Sequence, residues 1–144
     1  MIRIMLLALL LLPTLCLADV EYINSEQAAA QNLPFSQAVR VDSLIFLSGQ
    51  LGTDENFKLV DGGIVPEAHQ IFANMKAILE DNNSSLASVV KCTVMLDDIA
   101  EWPKFNEVYV TYFPGNKPAR SAFGASGLAL GGAVEMECWA TRKD

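Results

Sequence analysis

Basic residues are scarce in this chain: ten Lys and Arg stand against seventeen Asp and Glu, and the single histidine, His69, adds no charge at neutral pH. A polyanion is normally held by a basic surface, so this balance argues against nucleic acid as a partner. It leaves room for a small carboxylate, which one focused Arg can hold in an acidic protein. One histidine and three cysteines without metal-binding spacing are too few soft ligands for zinc, and no metal or other cofactor is expected. Long apolar runs are missing as well. The longest, residues 4–17, falls short of the ~20 residues of a spanning helix and is interrupted by Pro13 and Thr14.

That run has the layout of a secretory signal peptide instead. Arg3 precedes the apolar stretch, and the small residues Cys16 and Ala18 lie three and one positions ahead of a cut before Asp19. Lipid attachment at Cys16 is disfavoured by bulky Leu15. The chain is therefore expected to be exported, to the periplasm or beyond, and to leave the membrane once residues 1–18 are removed. The remainder, residues 19–144, carries nine Lys and Arg against seventeen acids, a net charge of −8. It is sized for a single domain with its own core.

Residues 19–33 are polar and alanine-rich without a clear period, and read as an extended arm along the surface. Residues 35–41 and 44–51 read as two strands joined by a turn at Asp42 and Ser43, with Gly49 admitting a close backbone or ligand. After a loop at residues 52–63, Ala68, Ile71, Phe72, Met75, Ile78 and Leu79 recur at helical spacing, with Pro66 in the first turn and residues 81–84 as the stop. His69 lies off that stripe and reads as a solvated helix histidine. Residues 89–96 alternate as a strand, with Val90, Cys92, Val94 and Leu96 inward. Asp97 and Asp98 close it as a solvated turn, lacking a third ligand for a metal. A second helix spans residues 102–113, with Pro103 in its first turn.

The stretch from Pro118 to Met136 is the most distinctive. Paired as a hairpin centred near Gly127 and Leu128, its two halves would set Arg120 opposite Glu135 on one face, with Leu128 and Leu130 as an apolar cover. The last strand, residues 133–141, puts Val134, Met136, Cys138 and Ala140 inward and Glu135, Glu137 and Trp139 outward. Two helices cover one face of such a sheet, and a second subunit is the natural cover for the other. Cys92 and Cys138 both face the helices. Buried single cysteines behave as small apolar residues, and two strands chosen by sequence seldom meet bridging geometry, so two free thiols are expected.

The ordered motifs Pro34-Phe35-Ser36-Gln37-Ala38-Val39, Ser48-Gly49-Gln50, Asn106-Glu107-Val108-Tyr109, Pro118-Ala119-Arg120-Ser121 and Val134-Glu135-Met136 resemble the Rid family, YjgF type, over nearly all of the chain after residue 33. Its active members are small trimers that hydrolyse reactive enamines and imines to ketones and ammonia. The resemblance implies an α+β, chorismate-mutase-like fold: a mixed β-sheet with two helices on one face, assembled as a homotrimer with a site at each subunit contact.

It also implies a cofactor-independent 2-iminobutanoate/2-iminopropanoate type deaminase acting on small carboxylate-bearing imines. Arg120 would hold the carboxylate and Glu135 would orient or deprotonate the attacking water. Ser48 and the backbone around Ala122 would line the pocket, Phe35 would wall it from the neighbouring subunit, and Asn106 matches a position near the subunit contact. Phe35 departs from the Tyr common in the family and lacks its hydroxyl. The alternative is a non-catalytic trimer that binds a metabolite or partner in the same clefts, as family members without the arginine are suspected to do. Arg120 separates this chain from them, and the ribonuclease label also attached to the family fits poorly with the negative charge.

Overall fold

The computed structural model describes residues 18–142. The expected signal peptide falls, but for Ala18, outside the described residues. The elements are β1 (Val20–Ile23), α1 (Glu26–Ala30), β2 (Ala38–Val41), β3 (Leu44–Leu47), β4 (Gln50–Leu51), α2 (Ile64–Asp81), β5 (Val89–Leu96), α3 (Trp102–Tyr112), β6 (Ala119–Gly124) and β7 (Val134–Thr141). They form one mixed sheet in the order β1-β2-β3-β7-β5-β6, with the short β4 also paired to β7. Among the described strands only β5 and β6 run parallel, as expected for strands joined through a crossover helix, here α3. The α+β reading holds.

Both long helices are amphipathic and lie on the same face of the sheet. Ile71, Phe72, Met75 and Leu79 of α2 are fully buried against Met136, Val94 and Leu96, while Phe105, Val108 and Tyr109 bring α3 into the same core. Each such side chain taken from water contributes roughly 1.5–3 kcal/mol, which is why the two stripes settle together on this face. His69 stays exposed, with its Nδ1 2.8 Å from the Tyr112 hydroxyl.

Four expectations need correction. Residues 19–33 are not a featureless arm: Val20–Ile23 pairs along β2, Ser25 caps α1 by accepting from the Ala28 N–H, and Arg40 binds both Asp19 and Glu21. A register shift between Val89 and Lys91 turns Val89 inward and leaves Val90 exposed, the reverse of strict alternation. The Pro118–Met136 stretch is not a hairpin. β5 lies between β6 and β7, so the loop joining them crosses over the end of β5, held there by the Ala125 N–H donating to the Leu96 carbonyl and the Asp97 N–H to the Ala133 carbonyl.

The fourth correction follows from the same topology. Cys92 and Cys138 are exact cross-strand partners, their Cα atoms 4.1 Å apart, and they form a disulfide. The closely spaced pair positions of an antiparallel ladder bring side chains together, and both residues face the helices with no solvent exposure.

Among the described residues, neither long helix covers the opposite face of the sheet. Tyr22, Phe46, Trp139 and Phe123 lie across it, Trp139 and Phe123 each nearly half exposed, with Phe46 and Trp139 edge to face at 5.0 Å.

Candidate functional site

The residues singled out from the sequence assemble into two groups. In the first, Ser48 directly follows β3, and its hydroxyl donates to the Ser36 carbonyl at 2.7 Å while its N–H donates to the Gln37 carbonyl. These bonds tie the exposed Phe35 loop to the Ser48-Gly49-Gln50 segment. Glu135, on the helix-free face of β7, lies over that segment: its Oε1 occupies the space where a Cβ on Gly49 would stand. Any side chain at position 49 would have to displace the carboxylate, which glycine leaves in place. Burial, with Glu137 two residues along the same face adding negative charge, raises the Glu135 carboxyl above its ordinary pKa.

The second group is built on α3 and the edge strand β6. Arg120 pairs in register with Cys92 and so points to the helix face, where its guanidinium lies over the rings of Tyr109, at 4.5 Å, and Trp102, at 5.4 Å. Asn106 is four residues after Trp102 and three before Tyr109, which sets it between the two rings on the same side of α3. Ala122, two residues beyond Arg120, shares that face and packs at the margin of the core. Among the described residues no carboxylate forms an ion pair with Arg120. Its charge lowers the Tyr109 pKa, but burial raises it more, so the phenol is held above its usual value.

Arg120 and Glu135 do not meet within one chain. Arg120 aligns with Cys92 and Glu135 with Met95, so they are offset by three residues along the strands, stand two strands apart and face opposite sides of the sheet. That is roughly 10 Å in each direction within the sheet. The first group therefore sets a partly buried carboxylate beside a turn, and the second a guanidinium without a carboxylate partner among the described residues.

Three residues escaped the sequence reading of the site. Trp102 and Tyr109 were legible as helix aromatics, and their spacing around Asn106 was the available signal. Glu67 had none: it lies off the apolar stripe, yet it is 5% exposed and accepts the Ala133 N–H at 2.8 Å. Gly52 packs directly on its backbone, so Glu67 anchors the loop that leads into β7.

Comparison with known proteins supplies the context. Residues 25–142 match the family model described as Endoribonuclease L-PSP. The chain is 44% identical over 119 residues to Protein HMF1 of Saccharomyces cerevisiae, covering 83% of this chain and 92% of that protein. It is 42% identical over 121 residues to a Mus musculus protein named 2-iminobutanoate/2-iminopropanoate deaminase, covering 83% and 90%. Among solved structures, RidA from the Antarctic bacterium Psychrobacter sp. superposes with a TM-score of 0.73 at 39% identity, covering 76% of this chain and 89% of that one.

Proposed function

Since this chain belongs to the Rid family, matched by the L-PSP model over residues 25–142, we propose that it is a cofactor-independent deaminase that hydrolyses small 2-iminoacids to 2-oxoacids and ammonia. The observation that carries this reading is Arg120: a guanidinium seated on two aromatic rings, without a carboxylate partner among the described residues, is prepared for an external anion. A 2-iminoacid offers a carboxylate beside the reacting C=N carbon. Arg120 takes the carboxylate, with the Ala122 backbone and the Asn106 amide beside it.

Glu135 completes the chemistry from a second subunit. In a homotrimer, a neighbour docked along the free edge of β6 brings its own Glu135, Ser48 and Phe35 to Arg120, which accounts for two groups that one chain leaves apart. The Glu135 carboxylate takes a proton from a water molecule, and the oxygen adds to the imine carbon as the nitrogen is protonated. Glu135 then moves the carbinolamine's hydroxyl proton to its nitrogen, so that the C=O bond forms as the C–N bond breaks and ammonia leaves. A fixed anchor, a placed water and a local base provide orientation and electrostatic stabilisation for both steps.

The ribonuclease in the family description draws no support from a chain of net charge −7. Export, proposed from the pattern of residues 1–18, is supported by the Cys92–Cys138 bond, since such bonds persist in oxidising compartments.

The test follows ammonia release from imines generated in place by an amino-acid oxidase, with Arg120→Ala as control. Mixing Arg120→Ala with Glu135→Gln, each inactive alone, should restore about one quarter of wild-type activity after subunit exchange, from random assortment in a closed ring. Wild-type protein without imine hydrolysis would defeat the proposal, and a failure of the mixture would defeat the shared site.

A further inference from the structure

We propose that Trp102 and Tyr109 are positioning residues that hold Arg120 for its ligand, and that this aromatic cradle decides how tightly the site takes a carboxylate. The inference rests on the carboxylate-binding reading of Arg120 and goes beyond it by naming what orients the arginine.

An arginine side chain has many rotamers, and one that must be ordered at binding loses affinity to that ordering. A neighbouring acid can order an arginine through paired N–H donors. An acid would occupy the same in-plane N–H donors that a substrate carboxylate needs, and would oppose its charge. Aromatic faces avoid both conflicts. They attract the guanidinium through its π face and leave the donors at its rim free for a bidentate partner.

The arrangement here has that form. The Arg120 Cζ lies 4.5 Å from the Tyr109 centroid and 5.4 Å from that of Trp102. The two aromatics are seven residues apart, two turns of α3, so one rigid helix presents both rings to a strand residue. Tyr109 is itself fixed, packed against Phe72, Phe105 and Phe113 at centroid distances of 5.9, 5.7 and 4.8 Å. Its hydroxyl is buried without a hydrogen-bond partner among the described residues, so the ring and not the phenol is what the arginine uses. Trp102 is only partly buried and forms the outer wall of the cradle.

The experiment measures binding of 2-oxobutanoate, a stable 2-oxoacid of the product class, by titration calorimetry, alongside kcat and KM for imine hydrolysis. Trp102→Leu and Tyr109→Leu keep an apolar side chain and remove the π face; each should weaken 2-oxobutanoate binding roughly tenfold and raise KM more than it lowers kcat. Trp102→Phe and Tyr109→Phe should recover most of that affinity. In wild-type protein free of ligand, the Arg120 Nε–H resonance should carry a ring-current shift that the Leu variants lose. Should Tyr109→Leu fail to fold, the less buried Trp102 pair decides the matter.

Folded Leu variants that bind 2-oxobutanoate as wild type does would overturn the cradle while leaving the deaminase reading standing. Phe variants as impaired as the Leu variants would also overturn it, because the π face would not be the active element. A wild-type protein that neither binds 2-oxobutanoate nor hydrolyses imines would instead remove the carboxylate reading, and the cradle's role with it.

Discussion

The Glu135 carboxylate lies directly over Gly49: a Cβ on that glycine would stand 1.9 Å from Oε1 and 3.0 Å from Cδ of Glu135. The obstructing atoms belong to the far end of a flexible side chain, so a larger residue can be admitted if the carboxylate moves aside. Gly49→Ala should therefore fold and melt close to wild type yet lose at least about tenfold in imine hydrolysis, the order expected when a general base is displaced. Melting curves and kcat measured on the same preparation check it, and unchanged kcat would remove Glu135 from the chemistry.

Arg120→Lys should lose most activity with the assembly unchanged. Lysine keeps the charge but offers neither the planar fork nor a guanidinium plane for the two rings. Near-normal hydrolysis by a folded Arg120→Lys protein would sink the clamp.

The pH dependence has a defined sign. Burial, then Glu137, raises the Glu135 carboxyl in the folded chain above its unfolded value. The folded state thus prefers the protonated form: the associated stability is present below the unfolded pKa and is lost as pH rises through the folded one. Glu135→Gln should accordingly be the more stable protein at neutral pH, with the difference fading in acid beneath the ordinary carboxylate range. In wild-type protein the acid limb of kcat/KM should lie above the ordinary carboxylate value, since the base must be ionised to act. Stability of the two proteins measured from pH 3 to 8 tests the first half, and the rate profile tests the second.

A chain beginning at Asp19 should show no free thiol after denaturation without reductant, and an intact mass two hydrogens short of the reduced form. The bond joins residues 46 apart in sequence. Closing a loop of that length stabilises a chain by about 4 kcal/mol in the chain-entropy model, so Cys92→Ala with Cys138→Ala should unfold at markedly lower denaturant concentration. Two titratable thiols would count against the bond.

Trp139 is 44% exposed at the centre of the helix-free face, beside Phe46. Large exposed aromatics in such patches are the kind of residue that anchors subunit contacts, and the proposed assembly uses this one. Sedimentation at micromolar concentration should find a trimer, and Trp139→Asp should dissociate it and abolish hydrolysis together. A stable wild-type monomer would contradict both the assembly and the shared site.

Local pattern determined much of this protein. The stripes that became α2 and α3, the alternation of Cys92, Val94 and Leu96 against Lys91, Thr93 and Met95, and the inward set on β7 all follow from periods of 3.6 and 2, which neighbouring residues carry by themselves. The motifs likewise singled out Arg120, Glu135, Ser48 and Gly49. Strand order was beyond that reach. Residues 118–136 read as a hairpin because proximity in sequence favours local pairing, but α3 carries β6 to the far side of β5, and the alternation within each strand is the same for either neighbour.

Three outcomes hung on that one non-local choice. With β5 between β6 and β7, Arg120 turned to the helix face and Glu135 to the open face, dividing the expected pocket between two surfaces. The same placement set Cys92 against Cys138 and made a bond of two residues expected to stay apart. Residues 19–33 took their order from the open edge of β2, which no pattern of their own announced. Glu67 is the sharpest case: its helix position marks it as solvated, and only the approach of Gly52 and the Ala133 N–H, brought in from elsewhere in the chain, buries it and gives its carboxylate a partner. Periodicity states which face of an element is apolar; which element covers it is decided by contacts between residues far apart in sequence, and those exist only once the chain has folded.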